Sequence, residues 1–240
     1  MHDDGGRVTT RSDDIIAGLA AVHERLRSAR VAAGRTDAVG LVVVTKTFPA
    51  SDIALLATLG VVDVGENRDQ EAVRKRHDLT GVSSVRWHMI GRVQRNKAAS
   101  VARWADVVET VDRLELVVPL ARAAAAAGRR LEILVQVSLD PEPRVERGGV
   151  HPDRAVDLAA AVAGEATLDL RGVMGVAPFP GDPDAAFAAL AAVAASVRSR
   201  WPTADRMSAG MSGDLEQAVA HGATQVRVGG AILGQRTGVQ

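Results

Sequence analysis

Lysine is scarce in this sequence, and one lysine lies where its amine could react with a carbonyl compound. Only three of the 29 basic residues are lysines, namely Lys46, Lys75 and Lys97. An amine can lose its proton and attack a carbonyl carbon, whereas a guanidinium group stays charged. Lys46 follows the apolar run 41–45. Burial at such a strand end lowers the pKa of an ammonium group, as a Schiff-base lysine requires, although an isolated lysine there is more often simply solvated.

Two glycine-rich segments could bind a phosphate group. Residues 207–214 include Ser212, and residues 227–231 include Gly229 and Gly230. Each segment follows a short apolar run and precedes a helical pattern, so unpaired backbone N–H groups and a helix dipole would favour a dianion. Either segment alone is equally well explained as a glycine turn, with Ser212 as a helix N-cap. Their occurrence after two consecutive strands favours phosphate.

Two further segments place polar side chains at predicted strand ends. In the tripeptide 65–67 (Gly-Glu-Asn), a role as helix N-cap explains Asn67 better than a binding site does. In residues 87–91 (Trp-His-Met-Ile-Gly), strand alternation separates His88 from its apolar neighbours. A histidine in an apolar strand is more often a hydrogen-bonded core residue than a catalytic one. Three polar residues that fit the start of a helix follow: Gln94, Asn96 and Lys97.

The apolar pattern predicts the elements that position these residues. Short β-branched runs alternate with helical stretches of roughly ten to fifteen residues, which is typical of βα units around a parallel sheet. An amphipathic segment at residues 13–34 predicts an extra N-terminal helix. Eight strand–helix pairs fit a closed (β/α)8 TIM-type barrel, in which functional groups gather at the C-terminal ends of the strands. The predicted strands are residues 40–45, 61–64, 85–90, 107–111, 131–137, 168–173, 205–208 and 225–228. The predicted helices are residues 51–59, 68–77, 96–104, 113–127, 152–163, 183–200 and 213–220, with a short one after residue 230.

Composition excludes several classes of protein. The chain has no cysteine, so disulfides and thiolate sites are excluded, and its histidines lack metal-ligand spacing. Basic and acidic residues balance at 29 each, which gives no sign of a nucleic-acid or membrane partner. No apolar run reaches the roughly 20 residues that cross a bilayer, and the polar start is not a signal peptide. We expect a cytoplasmic protein with residues 1–10 disordered and residues 11–240 forming one barrel domain. Residues 74–76 are predicted to be a solvated helix face.

Taken in order, the motifs resemble those of the pyridoxal phosphate homeostasis protein family, whose members are single-domain relatives of alanine racemase. The resemblance extends over nearly the whole chain after the first helix. It implies an alanine racemase N-terminal-domain-like barrel that binds pyridoxal 5′-phosphate (PLP) as cofactor. The segments that carry it are Val44-Thr45-Lys46-Thr47, Gly65-Glu66-Asn67, Trp87-His88-Met89-Ile90-Gly91, Gly172-Val173-Met174, residues 207–214 and Val226-Arg227-Val228-Gly229.

The resemblance also implies roles for individual residues. Lys46 forms the imine with PLP. Arg227 faces the pyridine nitrogen, which then stays unprotonated and makes PLP a weaker electron sink. Asn67 and His88 line the surroundings of the ring. The phosphate is held, largely through main-chain N–H groups, by Ser212, Gly229 and Gly230.

The sequence departs from the family's pattern at several positions, none of which touches Lys46. Gly230 stands where a serine or threonine is frequent, so one hydroxyl contact to phosphate is absent. Arg147 stands where a lysine is usual, which removes an amine for any lysine-mediated transfer of PLP. Ala209 replaces a frequent methionine, and Arg68-Asp69 replace a commoner aromatic–aliphatic pair.

Three functions fit these residues. The resemblance implies a PLP carrier or buffer without robust catalysis, with apo-enzymes as partners that receive PLP. A PLP-dependent amino-acid racemase or related enzyme is the alternative, but the sequence has no tyrosine to act as a racemase's second base. The residues alone also fit a barrel for another phosphorylated metabolite. We expect a monomer, because no second domain covers the barrel mouth.

Overall fold

The structure, a computed structural model, describes residues 10–81, 84–141 and 147–234 of the 240-residue chain. Eight parallel strands pair in sequence order, and the last pairs with the first, which closes a barrel. The predicted (β/α)8 architecture is therefore confirmed. The strands are β1 (Gly40–Val44), β2 (Asp63–Glu66), β3 (Arg86–Met89), β4 (Val107–Val111), β5 (Leu131–Val137), β6 (Leu168–Gly175), β7 (Arg206–Ser208) and β8 (Gln225–Val228).

Helices surround the barrel, and their alanine-rich stretches combine high helix propensity with close packing against the strands. Short 3₁₀ turns lead directly into the three helices that begin at residues 98, 117 and 155. None of the helices in the described ranges is both long enough and apolar enough to cross a membrane. The helices are α1 (Arg11–Ala32), α2 (Ala50–Thr58), α3 (Asp69–Asp78), α4 (Ala98–Trp104), α5 (Val117–Ala126), α6 (Ala155–Ala163), α7 (Pro183–Arg200), α8 (Leu215–Ala220) and α9 (Gly230–Leu233).

The predicted N-terminal helix, α1, covers the seam where β8 meets β1. Its buried apolar side chains cluster with those of β1, β8, α8 and α9. Gly18 allows a close approach, since a Cβ there would lie 2.6 Å from the carbonyl oxygen of Ile232. Thr10 and Asp13 form a capping box that starts the helix. Thr10 therefore belongs to the helix cap, whereas residues 1–9 of the segment predicted to be disordered lie outside the described residues.

The barrel interior is unusually polar. Branched aliphatic side chains fill the interior of most such barrels, and they fill the layer between strands and helices here. Inside, by contrast, several buried polar side chains share one hydrogen-bonded network. Its central members are His88, Glu109, Ser208, Gln225 and Arg227.

Some predicted boundaries differ from the structure. The second strand was placed at residues 61–64, but it lies at Asp63–Glu66. Hydropathy misses this shift, because the charged ends of β2, half-buried Asp63 and buried Glu66, have compensating partners: Asp63 contacts His88, and Glu66 contacts Lys75. The sixth strand also extends two residues further, to Gly175.

Candidate cofactor site

Lys46 lies at the C-terminal mouth of the barrel, two residues beyond the end of β1. Val42 faces the interior, because it is in register with Arg227 on the adjacent strand, whose side chain lies inside the barrel. Thr45 faces outward, since its hydroxyl donates to Glu66 on the outer side of the barrel. Alternation along the extended backbone therefore directs Lys46 toward the mouth. Its side chain is half-buried, and Thr47 turns the chain with a φ of 70°.

A buried ion cluster outside the barrel fixes the turn that carries Lys46. The ammonium group of Lys75, on α3, donates to the carbonyl oxygen of Thr45 at 2.8 Å and to Glu66 Oε1 at 2.7 Å. It also contacts Glu71 Oε1 at 2.7 Å. Lys75 is only 5% exposed, so the prediction of a solvated face at residues 74–76 is wrong for this residue. Two carboxylates compensate its buried charge.

Glu71 holds the other side of the same turn. Its Oε1 accepts the backbone N–H of Thr47 at 2.6 Å, so both neighbours of Lys46 are tied to the cluster. Burial would raise the pKa of Glu71, but hydrogen bonds from Lys75 and Thr47 lower it. Burial does raise the pKa of Glu66, although Lys75 acts in the opposite direction. The turn is thus anchored by a carboxylate that stays ionised.

The loops after β7 and β8 contain backbone N–H groups that have no partner among the described residues. Among the described residues, no acceptor takes the N–H of Ser212 or Gly213, or that of Gly229 or Gly230. Ser212 is not the N-cap of α8, because that position is Asp214. Donors left in this way are what a phosphate group requires.

Gly229 brings this cradle against the strand that carries Lys46. A Cβ on Gly229 would lie 2.9 Å from the carbonyl oxygen of Val44, so only glycine fits at this approach. Gly230 differs, because a Cβ there would meet no atom within 4 Å. Sterics therefore do not explain why Gly230 lacks the hydroxyl side chain frequent in the family. The free donors and the close glycine both fit the phosphate of PLP.

Arg227 lies inside the barrel, with its guanidinium held from two directions. Nη1 donates to Ser208 Oγ at 2.7 Å, and Nη2 donates to the carbonyl oxygen of Gly175 at 2.9 Å. The guanidinium also lies 3.7 Å from Glu109 Oε2. Burial lowers the pKa of Arg227, and Glu109 counteracts this effect. The side chain is only 4% exposed, so it presents a fixed cation rather than a mobile one.

His88 lies in the same interior network and is bonded to carboxylates on both nitrogens. Nδ1 is 2.6 Å from Glu109 Oε1, and Nε2 is 2.9 Å from Asp63 Oδ1. Burial disfavours the imidazolium, but the two carboxylates outweigh it and raise the pKa of His88. The pKa values of Asp63 and Glu109 are lowered for the same reason, against the effect of burial. His88 is therefore connected to Arg227 through Glu109 and Ser208.

Asn67 lies at the mouth, at the end of β2. The backbone there is close to the neighbouring strand end, since a Cβ on Gly91 would lie 2.1 Å from the carbonyl oxygen of Asn67. Arg68, not Asn67, is the N-cap of α3, so the capping role expected for Asn67 is wrong. The side chain of Asn67 instead lines a surface groove.

Sequence reasoning missed Glu109, which links the other polar groups. Its oxygens contact His88, accept from Ser208 at 2.6 Å and accept from Gln225 at 2.9 Å. One signal could have revealed it. A carboxylate inside the apolar strand Val107–Val111 needs a buried cation or several donors, and His88 lies on the adjacent strand.

Comparison with known proteins shows the family of this chain. The model of the alanine racemase N-terminal domain family matches residues 18–237. A pyridoxal phosphate homeostasis protein of Mycobacterium bovis is 45% identical over 94% of each chain. This chain belongs to the pyridoxal phosphate homeostasis protein family. The Escherichia coli K12 member is 36% identical, over 93% of this chain and 97% of that one. The resemblance inferred from the motifs is thus confirmed.

Solved structures agree with this family assignment. PipY of Synechococcus elongatus, in a structure with PLP bound, has a TM-score of 0.80 and 31% identity. The match covers 92% of this chain and 100% of PipY. Alanine racemase of Clostridium difficile has a TM-score of 0.71 at 13% identity, which shows the fold alone. The alanine racemase-like barrel predicted from the sequence is therefore confirmed for this family member.

Proposed function

We propose that this member of the pyridoxal phosphate homeostasis protein family binds PLP at the barrel mouth through Lys46. The observation that carries the proposal is the close approach of Gly229 to Val44, which sets the glycine cradle beside the end of β1, two residues before Lys46. The PLP-bound structure of the relative PipY supports the same cofactor. When bound, PLP supplies an aldehyde that condenses with a lysine amine.

Each group of the proposed site, at the mouth or inside the barrel, has a distinct task in this proposal. The N–H groups of Ser212, Gly229 and Gly230, for which the described part of the chain offers no acceptor, bind the phosphate. Arg227 presents a fixed cation to the pyridine nitrogen and so keeps that nitrogen unprotonated, which weakens the electron sink. Asn67 borders the ring, and His88 acts on Arg227 through Glu109 and Ser208. This arrangement suits holding PLP better than demanding carbanion chemistry.

We further propose a cytoplasmic carrier or buffer that keeps free PLP low and supplies it to apo-enzymes, without robust catalysis of its own. Arg147 supports a holding role, because it stands where the family usually has a lysine and offers no amine for the transfer of PLP. Its guanidinium donates to the carbonyl oxygens of Val176 and Ala177, at 3.1 Å and 2.7 Å. It therefore acts as a structural tie between two loops. The chain also lacks a tyrosine that could act as a racemase base.

Titration with PLP, followed by absorbance, tests the covalent link. We expect a visible band in the wild type that Lys46→Ala abolishes, with affinity at least about tenfold weaker. Lys97→Ala is the matched control, because Lys97 is a partly exposed lysine and should leave the band unchanged. A band that survives in Lys46→Ala would contradict the proposal. Absence of a band in the wild type would favour a barrel that binds another phosphorylated metabolite.

A further inference from the structure

Two neighbouring grooves lie beside the proposed cofactor pocket, outside the ends of β2, β3 and β4. The first, of about 790 Å³, lies between the start of α3 and the turn before α4. The second, of about 810 Å³, lies between that turn and α5. They share Arg95 and Asn96, and Asn67 lines the first groove. Together they exceed the roughly 300–1,000 Å³ of a typical small-molecule pocket.

The lining of these grooves is strongly basic, although the net charge of the chain is zero. Two acidic residues, Asp69 and Glu115, line the grooves. The side chains of Arg95 and Arg122 form no hydrogen bond or ion pair with any other residue that the structure describes. Arg92 and Arg113 pair with Asp112, and Lys97 pairs with Asp69, so the positive charge left for an anionic partner includes that of Arg95 and Arg122. The basic residues that line the grooves are Arg68, Arg92, Arg95, Lys97, Arg113 and Arg122.

Apolar side chains adjoin the basic ones in the second groove. Leu114, in the 3₁₀ turn before α5, is 51% exposed, and Val118, in the first turn of α5, is 44% exposed. Exposed apolar residues next to arginines are typical of surfaces that bind other proteins. A small anion would need the arginines but would leave Leu114 and Val118 without a role.

We propose that this double groove, defined by the residues that line both cavities, binds an acidic polypeptide segment of a partner protein. Carboxylates of the segment contact Arg95, Arg122 and their basic neighbours, and one apolar side chain packs on Leu114 and Val118. Because Asn67 adjoins both the groove and the barrel mouth, the partner would be held next to Lys46. The identification of the partner as an apo-enzyme that receives PLP rests on the proposed function. The proposal that the groove binds an acidic segment does not depend on it.

The test uses a fluorescent peptide of about twelve residues, which spans about 40 Å when extended. The peptide consists of glutamates around a central leucine, and in the control peptide each glutamate is replaced by glutamine. Binding to the full chain is followed by anisotropy at low ionic strength. We expect the acidic peptide to bind at least about tenfold more tightly than the control. Arg95→Glu and Arg122→Glu should each weaken binding about tenfold, and Leu114→Ala a few-fold.

Arg200→Glu is the matched control variant, because Arg200 is exposed at the C-terminal end of α7 and lines neither groove. Any of three results of the binding assay would overturn the proposal: no binding of the acidic peptide, equal weakening by Arg200→Glu, or complete displacement of the peptide by pyrophosphate at matched ionic strength. The last result would assign the groove to small anions.

PLP absorbance is recorded on the same samples. Loss of the PLP band in Arg95→Glu would make the groove part of the cofactor pocket and would also overturn it. If the wild type shows no PLP band but still binds the acidic peptide, the proposed function is wrong and the proposal for the groove stands.

Discussion

At the scale of single residues, Arg227 is the side chain whose replacement reports most directly on the ring of PLP. Arg227→Gln removes the cation that we place at the pyridine nitrogen, so the absorbance band should shift and PLP affinity should fall about tenfold. Glu109 also loses a buried cation, and we expect a loss of about 1–3 kcal/mol in the free energy of unfolding. Arg200→Gln is the control. An unchanged spectrum and affinity in folded Arg227→Gln would contradict this role.

His88 predicts a pH dependence of stability with a definite sign. Its pKa is raised in the folded protein, above an ordinary value of about 6.5. The interaction therefore stabilises fully below that ordinary value and is lost as pH rises through the raised pKa. The difference in unfolding free energy between the wild type and His88→Asn should shrink as pH rises, measured by urea denaturation. His77→Asn, at a side chain that is 86% exposed, is the control variant. A pH-independent difference for His88→Asn would contradict the assignment.

The residue types in the sequence predict candidate groups at the mouth of the barrel but do not predict the polar network in its interior. The sequence predicts a reactive amine at Lys46 and a phosphate cradle at Gly229, and the structure brings the ends of these two strands together. Glu109 and Lys75 could not be located from sequence, because a buried charge is tolerated only where the fold supplies its partner. Those partners lie on other elements, so no local pattern reveals them.

At the scale of elements, the turn after β1 depends on helix α3. Glu71→Ala removes the acceptor of the Thr47 N–H, which frees one side of the turn that carries Lys46. We expect PLP affinity to fall about three- to tenfold, with the protein still folded because Lys75 keeps its contact with Glu66. Asp78→Ala, at the exposed end of the same helix, is the control. Equal PLP affinity for the wild type and Glu71→Ala would show that the turn needs no anchor from α3.

The identity and order of the elements could be predicted, while several ends could not. The bounds of β4, β5, β8 and α7 agree with the sequence prediction because apolar or alanine-rich runs set them. Helix α8 begins at Leu215 rather than at residue 213, because the N–H of Met211 bonds to Asp214 and extends the loop. Side-chain contacts of this kind decide an end without changing hydropathy.

At the scale of the whole molecule, closure of the barrel brings β8 beside β1 and so unites the two halves of the proposed site. The double groove lies beside the mouth of the barrel. We expect the chain to be a monomer, with a mass near 25.1 kDa by gel filtration with light scattering. A dimer that persists on dilution would contradict this expectation and would place a second copy near one of these surfaces.

The central claim, a covalent link between PLP and Lys46, is tested most directly by borohydride reduction of the PLP-loaded protein followed by peptide mapping. We predict that the visible band disappears on reduction and that the pyridoxyl mass lies on the peptide containing Lys46. A mass on the peptide of Lys75 or Lys97 instead, or no stable adduct despite a visible band before reduction, would contradict the account.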